Sequence, residues 1–414
     1  MRSMTTNSIA FEHHKGVIYI EHRTKLISKS NILESFVSTI STVTMDIRQL
    51  PYTLEIKSPV ATSSQPEGDR ATEAPPWYNP RGWSLRKKLI ASTTTIVIIL
   101  AAILIPVEII QNRYPNYIPL NYTLADTYSG PTFFDQFTYF TDDDPTKGFV
   151  VYVDKSTARG LNLTYASESS AVLRVDASTP NARSGRNSVR VESRDTYDSG
   201  LFIFDIIHTP FGCATWPALW LTDGYNWPMN GEIDALETTN VGSHGNEVSI
   251  HTTKGCSMDV KRKQTGQPIF KNCDSATGGN SGCGVIGDEN SYGEAMNNRG
   301  GGVYALELRD AGIRAWFFPS GAVPADITAE NPDPSRWGVA LADFPSTKCD
   351  IASHFKNLSI IVNIDLCGEL AGQKQYYDTL YHCPATCSGF VASNPDSFVD
   401  AYWEFKSFKV YRAY

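Results

Sequence analysis

The sequence predicts an all-β protein, an antiparallel strand sandwich preceded by one transmembrane helix. From about residue 128 onward, the chain contains many short β-patterned runs separated by turn residues, and helical 3.6-residue periodicity is almost absent. Before these runs lies one apolar stretch without charged residues, 89–107 (LIASTTTIVIILAAILIPV). Because the strands follow one another without alternating helices, a sandwich is favoured over a parallel α/β sheet.

The first 88 residues are predicted to form a cytoplasmic, largely disordered tail. Their Ser/Thr-rich and Pro-rich runs, such as VATSSQPEGDRATEAPPWYNP, show no sustained periodicity. A second possible start at Met45 leaves open whether residues 1–44 belong to the protein. No chemistry is predicted for this tail.

Residues 89–107 are predicted to span a membrane, because 19 helical residues at about 1.5 Å each match a hydrocarbon core of roughly 30 Å. The alternative is a buried core helix, although soluble helices of this length usually have a polar face. Basic residues precede the stretch, which predicts a single-pass protein with a cytoplasmic amino end and an extracellular or lumenal remainder, by default at the plasma membrane. These basic residues are Arg81, Arg86, Lys87 and Lys88.

Cysteine and glycosylation patterns favour the same orientation. All 8 cysteines follow the helix, and an even set suits disulfides in an oxidising compartment. The sequence does not choose a pairing; free thiols or a zinc site at Cys383 and Cys387 are the alternatives. Acceptor motifs for N-glycosylation begin at Asn121, Asn162 and Asn357. Residues 108–127 are predicted to be a stalk.

Composition narrows the class of partner. The net charge is −8, so a general electrostatic attraction to nucleic acid is absent. Hydrophobic residues make up 41% of the chain, enough for a sizeable core.

The Gly/Ser/Asn-rich stretch 254–302 is too long for an ordinary connection and predicts a lid-like functional loop.

Three carboxylates lie close together in the run GEIDALE. In a regular strand, Glu232 and Asp234 share a face, whereas Glu237 at position i+5 faces away unless a β-bulge shifts the register by one residue. Clustered carboxylates raise the pKa of at least one member, which suits acid catalysis of glycosidic cleavage. A solvated acidic edge strand is the alternative interpretation.

Aromatic residues precede this run, as a sugar-binding cleft requires, because sugar rings stack on indole faces. Trp216, Trp220 and Trp227 are the candidates, with core packing as the alternative, mainly for Trp220. His251 lies on the predicted neighbouring strand and is a candidate sugar ligand. A single histidine is more often structural.

The segments TWPALWLTDGYNWPMNGEIDALE, SIHTTKGC, AWFFPSG and NPDSFVDAYWEF occur in the order found in one enzyme family. From about residue 128 to 414, the chain resembles the fungal, laminarinase-like branch of glycoside hydrolase family 16. The resemblance implies a concanavalin A-like β-jelly-roll domain over 128–414 with a glycan cleft. It also implies Glu232 as nucleophile, Glu237 as general acid/base and Asp234 as auxiliary carboxylate.

The implied activity is a retaining endo-β-glucanase acting on internal β-1,3 or mixed β-1,3/1,4 linkages of a cell-wall-type polysaccharide. A transglycosylase and a non-catalytic glycan-binding protein are the alternatives. The resemblance implies no cofactor and no catalytic metal; some relatives hold a structural calcium, but no local motif places one here. A monomeric ectodomain is expected. Departures from the family pattern leave linkage preference open, at Ala214, Ala235, Thr238, Glu369 and Leu370.

Overall fold

The computed structural model describes residues 80–111 and 113–414. Most of the predicted tail, residues 1–79, lies outside the described residues, as does the second possible start at Met45. The disorder and cytoplasmic location of the tail therefore stay predictions.

The apolar stretch forms a helix, α1, from Leu85 to Gln111. It begins before residue 89, because Arg86, Lys87 and Lys88 also favour helix, and it ends four residues after the predicted 107. Its apolar window, Leu85–Ile109, has none of its residues buried, so it is not a core helix. At 1.5 Å per residue, these 25 residues extend about 38 Å, and α1 is a candidate membrane span.

The part of the chain that the structure describes contains eighteen strands. In chain order these are β1 Tyr122–Ser129, β2 Phe137–Tyr139, β3 Val150–Tyr152, β4 Thr164–Ala166, β5 Ala171–Arg174, β6 Arg186–Ser188, β7 Arg190–Tyr197, β8 Gly200–His208, β9 Thr215–Thr222, β10 Glu232–Glu237, β11 Glu247–His251, β12 Gln267–Pro268, β13 Cys283–Ile286, β14 Gly302–Arg309, β15 Gly312–Pro319, β16 Ala342–Pro345, β17 Leu358–Leu366 and β18 Tyr402–Ala413.

After α1, the helices of the described residues are short. The α-helices are α2 Lys155–Gly160, α3 Gly293–Asn297, α4 Ala325–Thr328, α5 Ile351–His354, α6 Gly368–Ala371 and α7 Cys387–Ser393. A π-helix covers Gln375–Leu380. One 3₁₀ turn, Pro80–Gly82, precedes α1, and the others are Gly130–Gln136, Ser320–Ala322, Pro334–Arg336, Ser346–Lys348 and Pro395–Phe398.

Two large antiparallel sheets form the sandwich, which confirms the predicted all-β fold. The first sheet has the order β16-β15-β14-β8-β18-β5-β4, with β1 also paired to β18. The second sheet has the order β12-β13-β11-β10-β9-β17-β7-β2. The strand that carries the three acids, β10, lies inside the second sheet with a partner on each side, so it is not an edge strand.

The main core contains side chains from strands of both sheets. Alternate residues of β10 (Ile233) and β9 (Leu219, Leu221) point into it with no exposed surface, and so do Phe405 and Phe408 of β18 in the first sheet. Each such side chain contributes about 1.5–3 kcal/mol through burial. Because successive residues of a strand face opposite sides, this burial fixes which side chains of β10 face outward.

The stretch 254–302 is not the lid-like loop that its composition predicts. It contributes β12 and β13 to the second sheet and the helix α3, and its disulfide Cys273–Cys283 closes a short loop. The two strands are only 2 and 4 residues long, so they leave little local periodicity in the sequence. β12 pairs with β13, and β13 joins the sheet through β11.

The predicted stalk, 108–127, also differs from the structure. Helix α1 continues to Gln111, and β1 begins at Tyr122, which is buried. Between them, the Tyr117 hydroxyl donates to Asp343 Oδ1 at 2.5 Å, and the Arg314 guanidinium lies 4.0 Å from the Tyr117 ring centre. The domain therefore includes chain before residue 128, because polar partners more than 190 residues away bind this segment.

All eight cysteines form disulfides in the described part of the chain, and no free cysteine is found there. The zinc alternative for Cys383 and Cys387 is therefore wrong, because each of these two thiols has a different partner. The pairs are Cys213–Cys383, Cys256–Cys349, Cys273–Cys283 and Cys367–Cys387.

Candidate active site

The three acids of β10 share one face of the second sheet because the strand contains a β-bulge. The register of β10 shifts between Asp234 and Glu237 against β11, and between Asp234 and Leu236 against β9. The extra residue reverses the facing of Glu237, as a bulge does. Glu232, Asp234 and Glu237 therefore form what we call the acid face, and the alternative of a solvated edge strand is wrong.

Asn246, which sequence reasoning missed, holds this bulge in place. Its side-chain Oδ1 accepts from the backbone N–H of Glu237 at 3.0 Å, and its Nδ2 donates to the carbonyl of Ala235 at 2.9 Å. Its own N–H donates to Ser291 Oγ at 2.8 Å, and the residue has no exposed surface. One buried amide thus satisfies the two backbone groups that the bulge removes from the ladder.

The loop before β10 is also specified by local chemistry. Asp223 accepts hydrogen bonds at 2.8 Å from the side-chain amides of Asn226 and Asn230, which fold the loop around its carboxylate. Gly231 has φ +72°, and a Cβ there would lie 2.5 Å from the carbonyl oxygen of His354, so the entry to β10 requires glycine. Trp227 lies on this loop with 41% of its surface exposed.

Polar residues of β11 support the acid face from one side. Ser249 Oγ donates to Asp234 Oδ2 at 2.5 Å. His251 Nε2 lies 3.4 Å from Asp234 Oδ2 and 3.9 Å from Glu232 Oε1, while its Nδ1 lies 3.0 Å from Asn280 Oδ1. His251 is only 7% exposed, and in the structure its contacts are with the acids. Its role as a sugar ligand stays a prediction.

Two of the three candidate tryptophans lie on β9, on the other side of the acid face. Trp216 Nε1 donates to Glu237 Oε1 at 2.7 Å. Trp220 pairs with Asp234 across the ladder and donates through Nε1 to Asn363 Oδ1 at 2.8 Å. Both rings are partly exposed, so the core-packing alternative for Trp220 is wrong, and sugar binding by the three tryptophans stays a prediction.

Burial and mutual repulsion keep protons on the acid face. Burial, then Glu237, raises the pKa of Glu232 to about 8. Burial, then Glu232 and Glu237, raises the pKa of Asp234 well above its ordinary value. Burial also raises the pKa of Glu237, and the Trp216 hydrogen bond opposes this rise. Because the groups interact strongly, the cluster titrates as a unit and retains protons near neutral pH.

The donor atoms of three residues on the same face are close enough together to coordinate one metal ion. Glu232, Asp234 and His251 each place one donor atom within 4.8 Å of the others. Carboxylate and imidazole donors suit several divalent ions. The same distances suit proton sharing among the three groups, and no step of the function proposed below needs a metal.

Comparison with known proteins identifies the family. Residues 137–411 match the family model described as "XgeA-like, catalytic GH16 domain". The chain belongs to glycoside hydrolase family 16. It is therefore a glycoside hydrolase by family, and the predicted resemblance is confirmed.

Curated family 16 relatives support this assignment. A Schizosaccharomyces pombe protein named "Probable glycosidase" is 44% identical over 307 residues, which span 73% of this chain and 72% of the relative. An endo-1,3(4)-beta-glucanase of Arthroderma benhamiae is 40% identical over 298 residues, spanning 70% of this chain and 65% of the relative. The chain thus matches less than two thirds of the Arthroderma enzyme's length.

Solved family 16 structures share the fold. Laminarinase 16A from Phanerochaete chrysosporium, with β-glucans in both donor and acceptor sites, is 43% identical with a TM-score of 0.68; the match covers 70% of this chain and 100% of that one. An elongating family 16 β-1,3-glucosyltransferase is 39% identical with a TM-score of 0.66, with the same coverage. The two-sheet sandwich is therefore the family 16 jelly roll.

Proposed function

We propose that this family 16 protein is a retaining endo-β-glucanase that hydrolyses internal β-1,3 or mixed β-1,3/1,4 linkages. The observation that carries the proposal is the bulge in β10, which puts Glu232, Asp234 and Glu237 on one face. Near neighbours on a strand face suit the separation of about 5–5.5 Å that retaining glycosidases need between nucleophile and acid. The named relatives that act on β-glucans support the substrate class.

In the first step, the Glu232 carboxylate attacks the anomeric carbon of the bound sugar. The bond from that carbon to the leaving oxygen breaks, and Glu237 gives its proton to this oxygen. A covalent glycosyl ester of Glu232 results, with Glu237 left as a carboxylate. Asp234 holds a proton to higher pH than an ordinary carboxyl because it is buried beside two acids, so it can donate to Glu232 and favour the ionised nucleophile.

In the second step, Glu237 accepts a proton from water, and the water oxygen attacks the anomeric carbon. The ester bond to Glu232 breaks, which restores its carboxylate and the protonated Glu237. Two inversions leave the product with the configuration of the substrate. The Trp216 N–H stabilises the Glu237 carboxylate that exists between the two steps.

Transglycosylation is the second candidate, because a sugar hydroxyl can replace water in the second step. The similarity to an elongating β-1,3-glucosyltransferase at 39% identity favours keeping it. The same residues and proton transfers serve both outcomes.

Product analysis tests the proposal. The domain, residues 114–414, is incubated with laminarin, with barley mixed-linkage glucan and with laminari-oligosaccharides, and the products are separated by mass spectrometry. We expect short oligosaccharides from the glucans and none from the Glu232→Gln variant. Products longer than the added oligosaccharides would establish the transferase instead, and binding without turnover would establish a glycan-binding protein.

Replacing Trp216 by Phe is expected to shift the pH dependence of activity. The variant keeps an aromatic ring but loses the N–H that lowers the pKa of Glu237, so Glu237 keeps its proton to higher pH. The alkaline limb of kcat/KM should therefore move to higher pH, since the lost hydrogen bond stabilises the charged form of Glu237. Trp220→Phe is the control, because it loses an equivalent bond to Asn363 and should leave the limb in place.

We also propose that α1 anchors the enzyme, with the amino end cytoplasmic and the catalytic domain extracellular or lumenal. The four disulfides support this placement, because they form in oxidising compartments. Asn121, Asn162 and Asn357 are exposed, as glycosylation requires. A mass decrease after endoglycosidase treatment of the full chain would support the placement, and an unglycosylated chain with a protease-accessible domain on the cytoplasmic side would refute it.

A further inference from the structure

A fourth carboxyl, that of Glu247, lies beside the acid face and has no part in the two steps above. Glu247 pairs directly with Glu237 across the β10–β11 ladder. Residues so opposed have Cβ atoms about 4.5–5.5 Å apart on the same face. Glu247 also alternates along β11 with Ser249 and His251, which both contact Asp234. The Glu247 side chain therefore lies on the same side of the sheet as the three acids.

The neighbouring strand β13 leaves space for this carboxyl. A Cβ at Gly284 would lie 2.6 Å from Glu247 Oε1 and 2.8 Å from Cγ1 of Ile269, closer than such atoms can approach. Any other residue at position 284 would therefore displace the Glu247 carboxyl or the Ile269 side chain. Ile269 is 37% exposed and Glu247 is partly buried, so the carboxyl lies at the surface of the sheet near the apolar side chain of Ile269.

Within the described residues, no hydrogen bond engages the Glu247 carboxyl; burial and the charge of Glu237 are the influences on it. The neighbouring carboxyl groups of Asp234 and Glu237 do have hydrogen-bond donors. Ser249 donates to Asp234, and the single N–H of Trp216 donates to Glu237. The Glu247 carboxyl therefore keeps hydrogen-bonding capacity that the protein does not use and that a ligand can fill.

The protonation of Glu247 suits a sugar hydroxyl as that partner. Burial and the adjacent Glu237 raise the pKa of Glu247 to about 8, so the group is protonated at mildly acidic and neutral pH. A protonated carboxyl donates one hydrogen bond and accepts others. A sugar hydroxyl does the same, so the two can form a reciprocal pair.

The position of Glu247 beside Glu237 indicates which sugar unit of the substrate it contacts. Glu237 protonates the leaving oxygen, so the sugar that carries this oxygen lies against Glu237, and its hydroxyls next to the linkage reach the groups beside Glu237. The side chains near Glu237 also include His251 and Tyr376. Of the two that flank Glu237 on β9 and β11, Trp216 has its N–H engaged, whereas no hydrogen bond of the described residues engages the Glu247 carboxyl. We propose that Glu247 is a specificity residue that hydrogen-bonds a hydroxyl of the glucosyl unit on the leaving-group side of the cleaved bond.

This inference rests on the proposed function and extends to the acceptor sugar in a transfer reaction, which occupies the same place. The test compares two substrates whose leaving groups differ. Laminarihexaose loses a sugar, whereas 4-nitrophenyl β-laminaribioside loses a phenol with no sugar hydroxyl. Glu247→Leu removes both hydrogen-bonding functions, and Glu247→Gln keeps a donor and an acceptor without charge.

For Glu247→Leu, we expect kcat/KM to fall at least tenfold more on laminarihexaose than on the aryl glycoside at pH 5. Glu247→Gln should keep most of the activity on both substrates at this pH. The control is Glu404→Gln, a partly buried glutamate on β18 that accepts from Ser170 Oγ at 2.8 Å, which should not change the ratio between substrates. Thermal unfolding of each variant shows whether it is folded.

Equal losses on the two substrates for Glu247→Leu would overturn the inference, because the phenol leaving group offers no sugar hydroxyl for Glu247 to bind. Loss in Glu247→Gln as large as in Glu247→Leu would also overturn it, because a neutral hydrogen-bonding group would then be insufficient. If the wild-type chain cleaves neither substrate, the proposed function fails. Glu247 is then tested by calorimetry with laminaritriose, where Glu247→Leu should bind at least tenfold more weakly, and equal affinity would refute the inference.

Discussion

Replacing Glu232 by alanine is expected to lower the turnover of β-glucan by on the order of 10⁴-fold or more, and replacing Glu237 by alanine should do nearly as much. Without Glu232, no carboxylate lies at the position from which the anomeric carbon is attacked. Without Glu237, a sugar alkoxide must leave unprotonated. Both side chains belong to one catalytic unit on the acid face of β10, so each loss should be close to complete.

Added azide distinguishes the nucleophile from the general acid, because azide attacks the anomeric carbon from opposite sides in the two variants. The substrate is 2,4-dinitrophenyl β-laminaribioside, whose leaving group needs no proton. In Glu232→Ala, azide replaces the missing carboxylate and displaces the phenolate directly, which gives the α-glycosyl azide. In Glu237→Ala, the ester of Glu232 forms first and azide then attacks it, which gives the β-glycosyl azide.

The configuration of the product, read by proton NMR, therefore assigns nucleophile and acid without reference to rate. Glu404→Gln again serves as the control, since it is a partly buried glutamate of the first sheet and should retain activity within about twofold. Exchange of the two azide products between the variants would reverse the assignment. Wild-type activity in both variants would remove the acid face from the mechanism.

The sequence predicts the acid face because the side of a strand on which a residue lies depends only on whether its separation from a reference residue is even or odd. Glu232 and Asp234 are two residues apart and Glu237 is five from the first, so a common face requires one extra residue, and Ala235–Leu236 of β10 supply it against Val248 of β11. The sequence does not predict what holds the bulge. Asn246 lies after the loop that follows β10, and its side chain folds back onto the bulge. No local sequence pattern predicts that contact.

The same distinction explains where the fold prediction was incomplete. Long runs such as β17, whose residues are almost all buried, are visible as apolar segments. Strand β13 depends on pairing with β11, and β12 depends in turn on pairing with β13. The segment before β1 depends on the hydrogen bond from Tyr117 to Asp343, 226 residues away. Contacts between distant segments determine these elements, so composition alone predicts a loop and a stalk there.

Replacing Asn246 by alanine is expected to lower kcat on laminarin by about 10²-fold, although Asn246 touches no substrate in the proposed mechanism. The variant leaves the carbonyl of Ala235 and the N–H of Glu237 without partners, so the bulge can relax toward regular pairing. Relaxation moves Glu237 relative to Glu232, and a displacement of about 1 Å at a catalytic group is enough for a loss of this size. KM should change much less than kcat, since the strands that flank β10 keep their side chains.

A loss of stability alone could also lower activity, so the comparison needs an equally buried asparagine elsewhere. Asn240 has no exposed surface, accepts from the N–H of Ala214 at 2.8 Å and donates to the carbonyl of Ala371 at 3.2 Å. Asn240→Ala and Asn246→Ala should each reduce the free energy of unfolding by about 2–5 kcal/mol, because each leaves two buried backbone groups unpaired.

Measured at a temperature where both variants are folded, only Asn246→Ala should show the fall in kcat. Its pH profile should change as well, because the coupling between Glu237 and Glu232 depends on their separation. If the two variants lose kcat equally, Asn246 contributes stability only, and the alignment of the acids has another cause. If Asn246→Ala retains kcat, the bulge is held by the core residues Ile233 and Leu236 on the opposite face of β10.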